Sequence, residues 1–503
     1  MKLVFSSLTR ALSHRNVALA RGIAPLFSTK SSLITDNTQG VHGNMKSSGV
    51  WRNKPLFRRE GDARFKTGKE AADMLVQEAI RRDGHEEEFV ATVSSTLGCL
   101  GTVFDRSPKY AWIAKQLLEP ERLVHFRVAW IDDVGVMRMN RGFRVQYSSA
   151  AGPYEGSTHF SSKMNGSVLK TLAFDSVFSN ALTGRCIGSA VGGADFNPYN
   201  KSEAEIQRFC QSYMTELSKY VGPDQDFPNM GMGCGAAEVG YMFGQYKRIN
   251  QKTGNNGRSF LWGGNPSFPE ASGYGVAHFA DALLKDKHDS LEGKRCLIVG
   301  SGRVAQTLAA KLLEYGAIPI TFSDSSGHIY EPEGFDRGKL RTVVKVKGER
   351  GAKVGRYIIA STTAAYNDPE NIWDIPCDLC FPCSTMGVIG PDEAKKLSDN
   401  GCEGVIEGGN SAVTEDGRKE LKKQGIVHGP STISLTGQAL VSGLERMQYN
   451  TITDEQLKEE MDRVYHEVKN TATEFNTRGD LYAGSVIMGF LRVANVMATQ
   501  GAV

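Results

Sequence analysis

An α/β fold in two domains is predicted for this chain by three features of its sequence. Helix-period and strand-like runs alternate from about residue 71, a strand–glycine turn–helix–strand unit begins near Lys294, and a long apolar helix pattern closes the chain. The 503 residues leave room for two to four domains. A content of 40% apolar and 23% charged side chains is that of a globular chain able to bury a sizeable core.

The chain opens MKLVFSSLTRALSHRNVALARGIAPLFSTKSS. Within residues 1–35, Lys2, Arg10, Arg15, Arg21 and Lys30 meet no acidic residue, and setting those five charges aside takes the formal net charge from +3 to −2. A basic, serine-rich, acid-free opening has the composition of a transit peptide, and its arginines interrupt any secretory apolar core. Import into the mitochondrial matrix is expected, with the plastid as alternative. The near-neutral remainder gives no reason to expect a nucleic-acid partner. No apolar run of transmembrane length is read, so no membrane insertion is expected.

Residues 36–70, rich in Ser, Asn and Gly, read as a linker. The first domain, 71–265, starts with the helical runs KEAADMLVQEAIRR, HEEEFVATVSSTLG and YAWIAKQLLEPER. It continues through strand-like VHFRVAWIDD and GVMRMNRGFRVQYSS to the helical SEAEIQRFCQSYMTELSKYVG. The second domain is assigned to 266–460 and the closing helices to 461–503. Nine cysteines scattered through a long chain suit a reducing compartment. Cys377, Cys380 and Cys383 in PCDLCFPC have ligand-like spacing, but no second CxxC or nearby HxxxH joins them. They read as cysteines of a buried strand, and no metal site is expected.

In KRCLIVGSGRVAQTLAAKLLEYGAIPITFSDSSG, Gly300, Gly302 and Ala305 form G-x-G-x-x-A between a strand and a helix, and Asp324 follows Gly300 by 24 residues. This is the Rossmann dinucleotide fingerprint in its required context. The turn and first helical residues Gly300, Gly302, Arg303 and Val304 are the candidates for a pyrophosphate at a helix N-terminus. Asp324 can accept from a ribose 2′-hydroxyl, which favours NAD. Ser325 and its neighbours can donate to a 2′-phosphate, which favours NADP. SDSSG is also an ideal simple turn, and the residues alone leave this open.

From about residue 71 to Val503 the chain resembles the NADP-type glutamate dehydrogenases. The resemblance rests on EPERLVHFRVAWIDD, NRGFRVQYSSAAGPY, VGGADFNP, CQSYMTEL, AAEVGYM, PEASGYG, VGSGRVAQ, SDSSG, EGGN, VSGLERMQ and FLRVANVMATQG, in order and in register along both domains. It implies a substrate-binding and oligomerisation domain, a Rossmann domain, a cleft between them, and a C-terminal helix returning to the first domain. It also implies a homohexamer and NADP as cofactor, with NAD as the lesser expectation. The family reaction joins 2-oxoglutarate, ammonia and NADPH into glutamate. The resemblance makes Ser272 and Asn410 cofactor contacts and Ser442 a substrate contact.

The same resemblance fails at the chemistry. The family's GPYKGG lysine reads Glu155, the FKNALT lysine reads Ser179, the PMGGGKGG lysine reads Val191 and the PAGDxGVG aspartate reads Gly231. Ala237 replaces an arginine, and Leu435 an asparagine expected near the nicotinamide. Charge-assisted hydrogen bonds are worth about 1.5–3 kcal/mol each, and a lost general acid or base costs roughly 10²–10⁴ in rate. A catalytically degenerate paralogue is therefore expected: a structural, regulatory or nucleotide-binding subunit, alone or mixed with an active paralogue. The alternative is an active NADP-dependent dehydrogenase for glutamate or another amino acid, with Glu155, His159 or Arg185 serving an altered specificity.

Overall fold

The structure is a computed structural model and describes residues 65–222, 224–250, 270–448 and 452–501. All belong to one of the two units into which the chain divides, Arg64–Val503. The expected transit peptide, nearly all of the linker and the domain boundary at 265/266 lie outside the described residues.

The first helix, α1 (Gly68–Asp83), takes in the last three residues of the expected linker because the Thr67 hydroxyl accepts from the Glu70 N–H and caps it. It is followed by α2 (Glu87–Cys99), α3 (Gly101–Arg106) and α4 (Lys109–Gln116). Strands β1 (Arg122–Ile131) and β2 (Met137–Ser148) form an antiparallel pair. Next come β3 (Tyr154–Phe160), α5 (Gly166–Leu182), β4 (Ser189–Ala194), α6 (Glu203–Leu217), β5 (Asp226–Asn229) and α7 (Ala236–Asn250). The sheet order is β1-β2-β4-β3-β5, with β3 parallel to both β4 and β5. On one face β2, β4 and α5 share an apolar cluster with the first helices; on the other, Phe160, Phe196, Phe209 and Tyr213 pack with α6. Ser202 and Glu205 start α6 with a reciprocal capping box.

The second domain opens with α8 (Ala271–Lys285), β6 (Arg295–Val299) and α9 (Arg303–Glu314). Then follow β7 (Ile318–Pro319), β8 (Thr321–Asp324), β9 (Gly327–Tyr330), α10 (Arg337–Gly348) and β10 (Ala365–Asn367). The domain continues with β11 (Leu379–Pro382), α11 (Pro391–Asp399), β12 (Gly404–Ile406), α12 (Glu415–Gln424) and β13 (Val427–Gly429). Last are α13 (Ser431–Ser434), α14 (Thr436–Gln448), α15 (Asp454–Glu474) and α16 (Leu481–Gln500). The order β13-β12-β11-β6-β7 is parallel throughout, and β8, β9 and β10 form a small antiparallel sheet beside it. This is a two-domain α/β fold. All four residues of β11 are buried, as a central parallel strand requires. Among the described residues no group of His, Cys, Asp or Glu could hold a metal.

Two further features differ from expectation. The division at 460/461 falls inside α15, which runs unbroken from its Thr453 cap. The closing helix α16 is 20 residues long with a mean hydropathy of 1.4, so a run of membrane-spanning length does exist. However, 67% of its apolar window is buried, and Val486, Ile487, Phe490, Val493 and Ala494 pack in the same cluster as α5. The apolar surround is protein, which explains a helix hydrophobic nearly all round.

Candidate functional site

Strands β3, β4 and β5, with α5 over them, bring the four exchanged positions to one neighbourhood. Glu155 on β3 is buried, and its carboxylate accepts from Asn229 Nδ2 at 2.9 Å. Asn180, next to Ser179 on α5, donates to the Gly188 carbonyl at 2.7 Å and the Glu155 carbonyl at 3.4 Å. The Ser179 hydroxyl turns back onto its own helix, toward the carbonyls of Asp175 and Ser176, both at 3.4 Å. Val191 on β4 is buried in the apolar cluster of the first domain with Val145 and Leu169.

Gly231 follows β5 and is backed by β3. A Cβ built there would meet the Thr158 carbonyl oxygen at 2.4 Å and the His159 ring at 3.0 Å. His159 is held by two bonds that fix its tautomer. The Met232 N–H donates to Nδ1 at 3.1 Å, so Nδ1 is unprotonated, and Nε2 then carries the hydrogen that reaches Ser157 Oγ at 2.7 Å. Burial, and secondarily the Arg144 guanidinium, push the imidazole down to about 4, so it is neutral at pH 7. With Nε2 protonated, this pair cannot activate Ser157 as a nucleophile.

Beneath β3 lies a charge pair without solvent access. Arg144 and Asp226 are both 0% exposed and bonded through Nε at 2.9 Å and Nη2 at 2.5 Å. Arg144 Nη1 also donates to the Gly156 and Ser157 carbonyls, and Gln146 Nε2 to Asp226 at 2.8 Å.

In the second domain, the β6–α9 turn is built for close approach. Gly300 adopts φ 127° and a Cβ on it would meet the Cys383 carbonyl at 2.5 Å, so only glycine lets the turn lie against the end of β11. Gly302 differs: a Cβ there meets nothing within 4 Å, and no side chain caps α9. No packing within the protein accounts for this glycine, and a turn of this kind suits an anion at a helix N-terminus. Arg303 Nη1 reaches Met230 Sδ at 3.1 Å, which sets the turn opposite Gly231. Ser411, next to exposed Asn410, donates to Asp175 on α5 at 2.8 Å, one turn from Ser179. Burial raises the Asp175 carboxyl to about 6 against that hydrogen bond, with Glu407 adding to the rise.

At the end of β8 the structure shows what surrounds Asp324 and Ser325. Asp324 Oδ1 accepts from the Ser326 N–H (3.0 Å) and hydroxyl (2.6 Å), and Oδ2 from Lys347 Nζ (3.1 Å) and the Val354 N–H (2.8 Å). Against the effect of burial, these donors bring its carboxyl below the usual range. Four donors fill the lone-pair positions of a carboxylate, leaving none for a ribose hydroxyl. Lys353 Nζ donates to Ser325 Oγ at 2.9 Å, so an ammonium and a hydroxyl stand together where an anion would be welcome.

The family profile described as Glutamate/Leucine/Phenylalanine/Valine dehydrogenase matches residues 263–501, and its dimerisation-domain profile matches 120–248. The chain is 43% identical over 443 residues to the NADP-specific glutamate dehydrogenase of Chlorella sorokiniana, covering 85% of this chain and 84% of that one. It belongs to the Glu/Leu/Phe/Val dehydrogenase family. The Escherichia coli NADP-specific glutamate dehydrogenase is 36% identical, with 84% and 97% of the two chains covered. The Plasmodium falciparum glutamate dehydrogenase structure superposes with a TM-score of 0.81 at 38% identity, covering 87% and 96%.

Of the expected contacts, Gly300, Gly302, Arg303 and Val304 follow β6, Asp324 and Ser325 close β8, Asn410 follows β12 and Ser272 stands on α8. Ser442 lies on α14, beside Gly443, which faces Arg185 and Ile187. Arg185 is not free for a substrate, since its guanidinium pairs with Glu460 at 2.5 Å. The sequence reading missed Asn180, Asn229, Lys347 and Lys353, which bond to the exchanged or cofactor positions. Lys347 and Lys353 lie 23 and 29 residues beyond Asp324, and only the return of α10 brings them near.

Proposed function

We propose that this chain is a subunit of the glutamate dehydrogenase type that holds NADP and self-associates but has lost the amino-acid chemistry. The observation that carries this is the filled space at Gly231. The side chain that would exchange protons is absent there, and the Thr158 carbonyl and the His159 ring occupy its place. Val191, buried among aliphatic side chains, offers neither charge nor hydrogen bond where an ammonium is called for. The altered-specificity reading loses two of its three residues, because His159 is locked neutral and Arg185 is paired.

NADP fits the residues present. The Gly300–Val304 turn would hold its pyrophosphate and Ser325 with Lys353 its 2′-phosphate, in agreement with the specificity in the relatives' names. When bound, the cofactor supplies a hydride. Titration of the full chain with NADPH, beside a turnover assay on the same preparation, tests the proposal: binding without turnover is expected, and no binding would overturn it. Lys353→Ala should weaken NADPH about 10–100-fold, the worth of one charge-assisted contact. NADH should be almost unaffected, and equal weakening of both would remove the 2′-phosphate assignment.

Self-association is supported by the β1–β2 hairpin, an edge carrying exposed Ile131, Val134, Val136, Met137 and Met139. A homohexamer, alone or mixed with an active paralogue, is our reading of this edge. Mitochondrial targeting is proposed from residues 1–35, with the plastid as alternative. Fusing residues 1–40 to a fluorescent reporter should give a mitochondrial pattern, and a diffuse cytosolic signal would refute organelle import.

A further inference from the structure

The crevice at the carboxyl ends of β6, β11 and β12 contains side-chain atoms with nothing to bond. Gln438, in the first turn of α14, accepts from the Ser272 hydroxyl of α8 through Oε1 at 3.2 Å, and its Nε2 is buried without a partner. The Ser384 hydroxyl, just past β11, is likewise buried and unpartnered. Turning the Gln438 amide over does not help, because either of its two polar atoms can face Ser272 and the other is then the orphan. Buried polar atoms in folded proteins nearly always find partners, and one left over marks the place of a missing ligand or water.

Sheet order says which part of a dinucleotide would reach these atoms. The pyrophosphate rests over the β6–α9 turn, and the adenosine end runs toward β8, where Ser325 and Lys353 stand. The other half must then extend the opposite way, across the ends of β11 and β12. Ser384 follows β11, and a Cβ on Gly409, just past β12, would meet its carbonyl at 2.5 Å. The Ser434 hydroxyl donates to the Glu407 carbonyl past β12, and Gly275 of α8 faces Gly437 and Ser434, which places Ser272 and Gln438 over the same edge. A Cβ on Gly273 would meet Val304 and Thr307, so α8 also touches the first turn of α9.

We propose that Gln438 is a specificity-determining contact for the carboxamide-bearing half of the dinucleotide. Ser272 orients the glutamine amide, and its remaining polar atom pairs with the ligand's own carboxamide. This rests on the proposed NADP site and names what reads its far end.

The test uses the full chain and two probes, NADPH and 2′-phospho-ADP-ribose, which keeps both riboses and lacks only the carboxamide-bearing nicotinamide ring. Gln438→Met keeps the length of the side chain and removes both polar atoms. It should weaken NADPH about 10–100-fold, the range for one hydrogen bond lost in a buried site, and leave 2′-phospho-ADP-ribose unchanged. That second probe also reports that the variant is folded. Ser272→Ala should show the same pattern with a smaller loss. If Gln438→Met binds NADPH as tightly as the parent, a buried water satisfies the amide and the proposal is overturned. Tighter NADPH binding would also overturn it, by making Gln438 an obstacle. A parent chain that binds neither probe removes the NADP site itself. A parent that binds both, with an unchanged variant, removes only the role of Gln438.

Discussion

The purified full-length chain should consume NADPH with 2-oxoglutarate and ammonia at least about 10³-fold more slowly than the roughly 10 s⁻¹ of an ordinary enzyme. On the proposed reading two causes act together: Gly231 stands at the general acid/base position, and Glu155, Ser179 and Val191 at the ammonium positions. Their losses are not simply additive, since groups that act as a unit fail as a unit. Steady-state NADPH absorbance at saturating substrate measures the rate, and a value near 10 s⁻¹ would end the proposal. Restoring the four side chains should not restore the enzyme. Gly231→Asp puts a Cβ 2.4 Å from the Thr158 carbonyl, so the backbone must move. Such overpacking costs about 1–3 kcal/mol. Val191→Lys places an ammonium in a site that is 3% exposed and aliphatic, at a cost of several kcal/mol unless the cleft opens. The fourfold variant is expected to melt below the parent and to stay slow. Recovery of ordinary turnover by those changes alone would mean that the cleft is far more accommodating than its packing implies.

Breaking the Arg144–Asp226 pair is the second large effect expected. Both side chains are fully buried, and Arg144 also clamps the Gly156 and Ser157 carbonyls of β3. Removing one partner leaves the other charge without compensation, which costs about 3–5 kcal/mol. Arg144→Met and Asp226→Leu should each lower the denaturant midpoint by that measure. The double variant should regain a large part of the loss, because two apolar side chains bury without an unpaired charge. A change below about 0.5 kcal/mol in either single variant, the scale of an ordinary surface substitution, would show that the pair is not the anchor of β3. If the anchor does hold, the same single variants should also broaden the His159 resonances, since the strand that carries it is no longer clamped.

Much of this was legible without coordinates. The two-domain α/β class followed from hydrophobic period and glycine spacing, which are local signals, and the strand around Cys380 followed from its continuous apolar run. The fingerprint at Gly300 and Gly302 was readable because backbone approach to a phosphate demands the same short spacing in any chain. The residues at 155, 179, 191 and 231 were readable as departures because part of each surrounding motif remains, most completely in Phe178–Thr183, where only Ser179 differs.

Other features depend on chain segments that meet only after folding. The membrane-length apolar run of α16 was overlooked, and its hydrophobicity is explained only by the helices and strands that surround it. The division at 460/461 fell within α15, since a helix shared by two packing environments carries no break in its own periodicity. Asp324 alone could not distinguish two cofactors, because its surroundings are set by Lys347 and Val354 folding back onto it and Lys353 onto Ser325. Gly231 was visible as an absence, but that His159 stands in the space was not. Local spacing determined where this sequence departs from the motifs it resembles and which glycine turn it keeps. Tertiary packing decided what fills the vacated places, because occupancy of a buried volume depends on every element that borders it.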